Sequence, residues 1–141
     1  MKRSTSVAAT EAIGCELVRT LEPGTLILLS GDLGAGKTTF VRGLAQGLGI
    51  DPAEVTSPTF TLIQEYQGQG GRLVHADLYR LRPDEVPDLG LDEYRAAGCL
   101  IAVEWPDRLA RIDGPVARVR LEYQGEHERR ILIEDAPYSA R

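Results

Sequence analysis

Gly31-Asp32-Leu33-Gly34-Ala35-Gly36-Lys37-Thr38 is the stretch that decides the fold. It fits the pattern G-x-x-x-x-G-K-[ST] at every defined position. Residues 25–30 before it (Thr-Leu-Ile-Leu-Leu-Ser) form a short apolar run of the kind expected in a buried strand. Residues 38–48 after it set Phe40, Val41, Leu44, Ala45 and Leu48 on one helical face and stop at Gly49. Strand, glycine-punctuated loop and helix, in that order, are the setting a phosphate-binding loop needs. Glycines let the backbone wrap an anion with no Cβ in the way. The loop N–H groups form a nest, and the helix turns its positive end to the same point. Lys37 is expected to bridge the β- and γ-phosphates of a nucleotide, and the Thr38 hydroxyl to ligate Mg²⁺. Asp32, Gly34, Ala35, Gly36 and Thr39 complete the expected cradle. A plain glycine-rich turn competes with this reading, but it gives no reason for a lysine at its end. Lys2 and Lys37 are the only lysines in the sequence.

Upstream, residues 6–20 carry Ala9, Ile13 and Leu17 at helical spacing, with Leu21 continuing it, and Pro23-Gly24 ends the helix. Downstream, residues 60–67 and 72–78 are expected as two strands of a hairpin around the glycine-rich turn 68–71. Residues 54–58 read as a loop and 82–87 as a polar segment. A short helix is expected at 91–97, a second fully apolar strand at 99–103 and a helical turn at 106–111. Residues 116–124 and 127–134 flank Gly125-Glu126 as a closing antiparallel hairpin. The last seven residues read as a frayed end. Apolar strands alternating with helices predict an α/β protein of three layers, with a mostly parallel sheet extended by antiparallel hairpins. At 141 residues, a single domain spanning 1–141 is the expectation.

A phosphate loop needs an acid at the end of a neighbouring strand. Glu104 closes the apolar run Cys99-Leu100-Ile101-Ala102-Val103 and is the favoured candidate to hold Mg²⁺. Asp77, which ends Arg72-Leu73-Val74-His75-Ala76, is the second candidate. His75 reads as a hydrogen-bonded structural histidine and His127 as a surface strand residue. Trp105 is divided between core packing and a place in the site. The hydroxyls of Ser57-Pro58-Thr59-Phe60 stand where a γ-phosphate-sensing loop would follow the first helix of the site.

Composition narrows the function further. The net charge is −5, and the arginines are scattered among Asp and Glu, which disfavours direct gripping of tRNA or DNA. No run reaches the roughly 18 apolar residues of a membrane span, and the N-terminus lacks an apolar signal core. A cytoplasmic protein is expected. Cys15 and Cys99 read as small core residues with no pairing or metal-ligand spacing.

Four motifs together carry a resemblance: residues 31–40 (Gly-Asp-Leu-Gly-Ala-Gly-Lys-Thr-Thr-Phe), 57–60 (Ser-Pro-Thr-Phe), 75–80 (His-Ala-Asp-Leu-Tyr-Arg) and 103–106 (Val-Glu-Trp-Pro). In order, spacing and total length the chain resembles the TsaE (YjeE) family over about residues 5–135. The resemblance implies a small bacterial ATPase serving the threonylcarbamoyl modification of the adenosine beside the tRNA anticodon. It implies partners TsaB and TsaD, of which TsaD carries out the transfer, with ATP hydrolysis resetting or regulating their complex and tRNA met only indirectly. Carried over by position, Lys37 and Thr38 keep their phosphate-loop roles, and Glu104 is the Mg²⁺-associated acid. Asp77 is the acid needed for hydrolysis, Thr59 falls in the switch loop and Trp105 in an activity-linked motif. Thr10 falls in a segment that contacts the base.

Three alternatives stay open on the residues alone. A small P-loop kinase requires a basic lid, for which only Arg80 and Arg82 offer themselves. A GTPase requires an Asn-Lys-x-Asp box, and the chain has no Asn. A nucleotide-gated binding module with negligible turnover requires nothing the sequence lacks.

Overall fold

The computed structural model describes residues 2–32, 36–56, 62–126 and 128–135. One mixed sheet of seven strands runs in the order β1-β7-β6-β2-β5-β4-β3. These strands are β1 (Lys2–Ser4), β2 (Leu26–Gly31), β3 (Ile63–Gly68), β4 (Gly71–Asp77), β5 (Leu100–Glu104), β6 (Val116–Tyr123) and β7 (Arg129–Glu134). The four central strands, β4, β5, β2 and β6, are parallel to one another. The flanks are antiparallel: β3 on β4, β7 on β6 and β1 on β7. Both predicted hairpins are present, and the predicted apolar runs form the two innermost parallel strands.

Alternation along these strands separates two cores. Ile27, Leu29, Leu73, Leu100, Ala102, Val119 and Leu121 face α1 (Val7–Val18) and α2 (Lys37–Gly47). Leu26, Leu28, Val74, Ala76, Ile101 and Val103 face the other way, under α3 (Leu91–Ala96) and the 3₁₀ run Pro83–Leu89. The segment read as merely polar at 82–87 is that 3₁₀ run. Its apolar residue Val86 is buried, which is why the segment docks on the sheet. Another short 3₁₀ turn, Pro52–Glu54, stands where a loop is predicted to begin.

The first helix forms where predicted, with the Ser6 hydroxyl accepting from the Ala9 N–H at 3.0 Å as its N-cap. Of the predicted inward residues, Leu17 and Leu21 are buried in the core, Ile13 packs against it half-buried, and Ala9 is half-buried. Thr10, Gly14 and Val18 are buried as well, which the apolar spacing does not predict. The cause is close contact of backbones. A Cβ at Gly14 would stand 2.7 Å from the Phe40 carbonyl oxygen, and one at Gly43 would stand 2.2 Å from that of Glu11. Glycines, rather than large apolar side chains, therefore set the approach of α1 to α2. The sequence reading also lacks β1, which is three residues long. The Ser4 hydroxyl donates to the Ser6 carbonyl at 2.9 Å, so the 2.6 Å contact between Ser4 and Thr10 hydroxyls is donated by Thr10. That chain of bonds ties the edge strand to α1.

Both cysteines are free, with Cys99 buried and Cys15 half-buried. No helix among the described residues is long and apolar enough to cross a membrane.

Candidate functional site

The parallel strands β2, β5 and β4 all end at the same edge of the sheet, where ligands of open α/β sheets bind. Register fixes which side chains meet there. Leu29 pairs with Glu104, and Asp77 pairs with the same Glu104 from the other side. On β4, Leu73, His75 and Asp77 share one face. On β5, Leu100, Ala102 and Glu104 do. Leu73, Leu100 and Ala102 belong to the core beneath α1 and α2. The two acids are therefore neighbours at adjacent strand ends, on the side of the sheet that carries α2.

The chain leaves β2 through Gly31, whose φ is +142°. A Cβ there would lie 2.4 Å from the Leu121 carbonyl oxygen, so only glycine fits this exit. It enters α2 through Gly36, a left-handed N-cap at φ +101°. Lys37 is the first residue of α2 and is buried, with 6% of its surface exposed. Its ammonium stands 4.7 Å from the centroid of the Trp105 ring. Trp105 directly follows Glu104 and takes a left-handed conformation, φ 60° and ψ 54°. A non-glycine residue pays on the order of 1–3 kcal/mol for such a conformation. On its way it also meets Tyr79, with ring centroids 4.9 Å apart. Thr38 and Thr39 lie in the first turn of α2, both half-buried.

The acids have defined partners. His75 Nε2 lies 2.6 Å from Glu104 Oε2, with His75 wholly buried and Glu104 5% exposed. Asp77 Oδ1 accepts the Tyr79 N–H at 3.0 Å. The Leu78 N–H donates to the Glu104 carbonyl at 3.2 Å. His75 is thus hydrogen-bonded, as its sequence reading expects, and its partner is the favoured acid itself.

Two concavities adjoin the loop. The smaller, about 130 Å³, is lined by Thr5, Ser6, Val7, Thr10, Gly36, Thr39, Glu126 and Arg129. The larger, about 560 Å³, involves Ser30, Asp32, Trp105, Arg118 and Arg120. Arg118 and Arg120 alternate with Ala117, Val119 and Leu121, so they face away from α2. The smaller cavity is the one on the side of the α2 N-terminus. Arg129 and Glu126 at its rim lie far from the phosphate loop in sequence and carry no recognisable motif. The β6–β7 hairpin brings them there.

Among the described residues no cluster of three His, Cys, Asp or Glu side chains makes a preformed metal site. The donor set nevertheless suits Mg²⁺, which prefers hard oxygens and takes one or two carboxylates together with phosphate and water. Thr38 and Glu104 are such donors. Gly34, Ala35 and Thr59, and with Thr59 the whole 57–60 motif, lie outside the described residues, as does His127. Asp32 is exposed and lines the larger cavity.

Residues 4–132 match the model of a protein family described as threonylcarbamoyl adenosine biosynthesis protein TsaE. The tRNA threonylcarbamoyladenosine biosynthesis protein TsaE of Bacillus subtilis is 43% identical over 133 residues, covering 93% of this chain and 82% of that protein. The protein of the same name from a Nostoc species is 44% identical over 125 residues, covering 86% of this chain and 76% of that protein. The crystal structure of Bacillus subtilis YdiB superposes with a TM-score of 0.72 at 36% identity, covering 92% of this chain and 80% of that one.

Proposed function

This chain belongs to the TsaE family, and from that premise we propose that it binds and hydrolyses ATP with Mg²⁺ in the service of tRNA threonylcarbamoyladenosine biosynthesis. The observation that carries the reading is the buried Lys37 at the start of α2, its ammonium 4.7 Å over the ring of Trp105, the residue that directly follows the buried strand-end carboxylate Glu104, whose register partner is a second acid, Asp77.

The phosphates bind at the N-terminus of α2, where backbone N–H groups and the helix dipole favour anions. Lys37 leaves the Trp105 ring for the β- and γ-phosphates. Thr39 and Gly36 open onto the small cavity, which receives the nucleoside end. The Thr10 hydroxyl is committed to Ser4, so Thr10 offers the base its methyl group. Thr38 and Glu104 hold Mg²⁺, which when bound offsets the negative charge of the phosphates. A water attacks the γ-phosphate in line, and Asp77 or Glu104 orients it. Lys37 and the loop N–H groups stabilise the charge that develops on the phosphoryl oxygens.

The pathway role follows the family: the chain acts indirectly, in the cytoplasm, by regulating or resetting a TsaB–TsaD complex, and ATP hydrolysis is slow when it is alone. The acidic charge of −5 supports the absence of its own tRNA grip.

ATP hydrolysis by the purified chain, alone and with TsaB and TsaD added, tests this with Lys37→Ala as control. Hydrolysis altered by the partners and lost in the variant is the expected result. ATP binding with no turnover in either condition overturns the hydrolytic part and leaves a nucleotide-gated binding module. A phosphorylated small-molecule product would make the chain a kinase instead.

A further inference from the structure

His75 lies in the middle of β4, paired with Ala102 of β5, and none of its surface is exposed. Its neighbours on the strand face, Leu73 and Asp77, lead from the apolar core to the site. Its Nε2 stands 2.6 Å from Oε2 of Glu104. In its role as a Mg²⁺ ligand Glu104 acts as a carboxylate, which can only accept, so in this pairing Nε2 carries the hydrogen and the imidazole donates to Glu104. The ring's other nitrogen, Nδ1, has no partner among the described residues. The Nε2 donor is therefore spent on Glu104.

Burying an imidazole with one nitrogen unpaired is costly, and an apolar side chain of similar size would fill this place in the core at less cost. What an apolar side chain cannot do is hold a carboxylate. Glu104 has three rotatable side-chain bonds and stands at the last position of β5, where the strand gives way to the left-handed Trp105. A charge-assisted bond from a ring fixed inside the sheet restricts that freedom. It also determines which carboxylate oxygen is engaged from within.

We propose that His75 is a positioning residue: it commits Oε2 of Glu104 and so presents Oε1 to the Mg²⁺–nucleotide. This rests on the reading of Glu104 as a Mg²⁺ ligand. Outer partners that orient a metal-binding side chain typically alter metal affinity or activity by about 10- to 100-fold when removed.

Two variants separate the hydrogen bond from the volume. His75→Gln places an amide N–H where Nε2 stands, and His75→Met fills the space with no donor. The first readout is Mg²⁺ titration of ADP binding, followed by the fluorescence of Trp105, the single tryptophan of the chain. His75→Met should weaken the Mg²⁺ dependence about 10- to 100-fold while ADP binding without Mg²⁺ stays near that of the wild type. The kcat for ATP should fall with little change in KM, and His75→Gln should recover most of both. A His75→Met protein that titrates like the wild type overturns the proposal. So does a folded His75→Gln as impaired as His75→Met, since volume alone would then explain the loss.

A measurement on the unmutated protein guards against a variant that fails to fold. The ¹⁵N spectrum of the His75 ring should show the hydrogen on Nε2, with that proton shifted by Mg²⁺–ADP but not by ADP alone. A hydrogen found on Nδ1 only, or a ring that ignores Mg²⁺, overturns the positioning role. A wild type that binds nucleotide with no response to Mg²⁺ in any readout overturns the metal reading of Glu104 together with this one. A wild type that responds while the variants do not differ from it overturns only the role of His75.

Discussion

The Lys37 ammonium sits over the ring of Trp105, 4.7 Å from its centroid, although Lys37 opens α2 after β2 and Trp105 follows β5. In water-poor surroundings such a cation–π contact is worth about 1–2 kcal/mol, so the ring holds the one lysine of the site in place while no phosphate does. Nucleotide phosphates compete for the same charge. Binding of ATP should therefore change the emission of Trp105. Lys37→Ala should abolish that change, lose ATP binding or hydrolysis, and alter the emission even with no nucleotide present. A Lys37→Ala protein that keeps full ATPase activity would remove the site from this loop.

Glu104 and Asp77 are register partners, yet they are held differently: the first is buried against His75, the second caps the Tyr79 N–H. Their substitutions should part accordingly. Glu104→Ala should lower turnover by about 10²-fold or more while nucleotide binding without Mg²⁺ persists. Asp77→Ala should also lose turnover, with Mg²⁺ dependence of binding retained. Single-turnover kinetics beside equilibrium binding distinguish the two. Should Glu104→Ala hydrolyse ATP as the wild type does, the metal role passes to Asp77.

On the opposite face, Tyr94 of α3 has its phenol pKa raised above the ordinary 10, first by burial, then by a hydrogen bond to the Glu65 carboxylate and by that carboxylate's charge. A raised folded-state pKa means the folded chain keeps a proton that the unfolded chain gives up. The contribution to stability is complete below about pH 10 and is lost as pH rises through the folded value. Denaturant midpoints measured between neutral and strongly alkaline pH should fall more steeply above this point in the wild type than in Tyr94→Phe. Parallel curves for the two proteins would mean the phenol is not held this way.

The strands other than β1 and the phosphate-loop helix were legible because a continuous apolar run, a two-residue alternation or a 3.6-residue period registers directly in side-chain type. Glu104 was legible as an acid ending the apolar strand 100–104. Its partner was not: His75 and Glu104 are 29 residues apart, and only the parallel pairing of β4 with β5 brings them together. The alternation of Leu73, His75 and Asp77 against Leu100, Ala102 and Glu104 held that information, given the register. The rim residues Glu126 and Arg129 depend on a tertiary hairpin and on no local pattern. On α1 the apolar period found Leu17, Leu21 and Ile13 but not the glycine contacts, because it looks for large side chains and this part of the interface is made by their absence. Gly43-Leu44-Ala45-Gln46-Gly47 was the available signal, two glycines one helical turn apart within a helix.

That interface gives the last test. A methyl group on Gly43 would press on the Glu11 backbone, at 2.2 Å from its oxygen and 2.9 Å from its carbonyl carbon. At Gly47 the Cβ would meet Val18 Cγ1 at 2.2 Å and the Cys15 carbonyl oxygen at 2.8 Å. Helix propensity alone favours alanine over glycine by about 1 kcal/mol. Backbone atoms cannot rotate aside, so overpacking should win. Gly43→Ala should lose roughly 1–3 kcal/mol of stability, a drop of several degrees in Tm, whereas Ala at the exposed Gln46 should leave stability nearly unchanged. Because α2 begins at Lys37, pushing it away from α1 should also shift the phosphate-binding turn. ATP affinity is therefore expected to fall in Gly43→Ala at temperatures where the protein is still folded. Thermal denaturation together with nucleotide titration checks both effects, and a Gly43→Ala protein as stable as the wild type would mean the two helices are not in backbone contact.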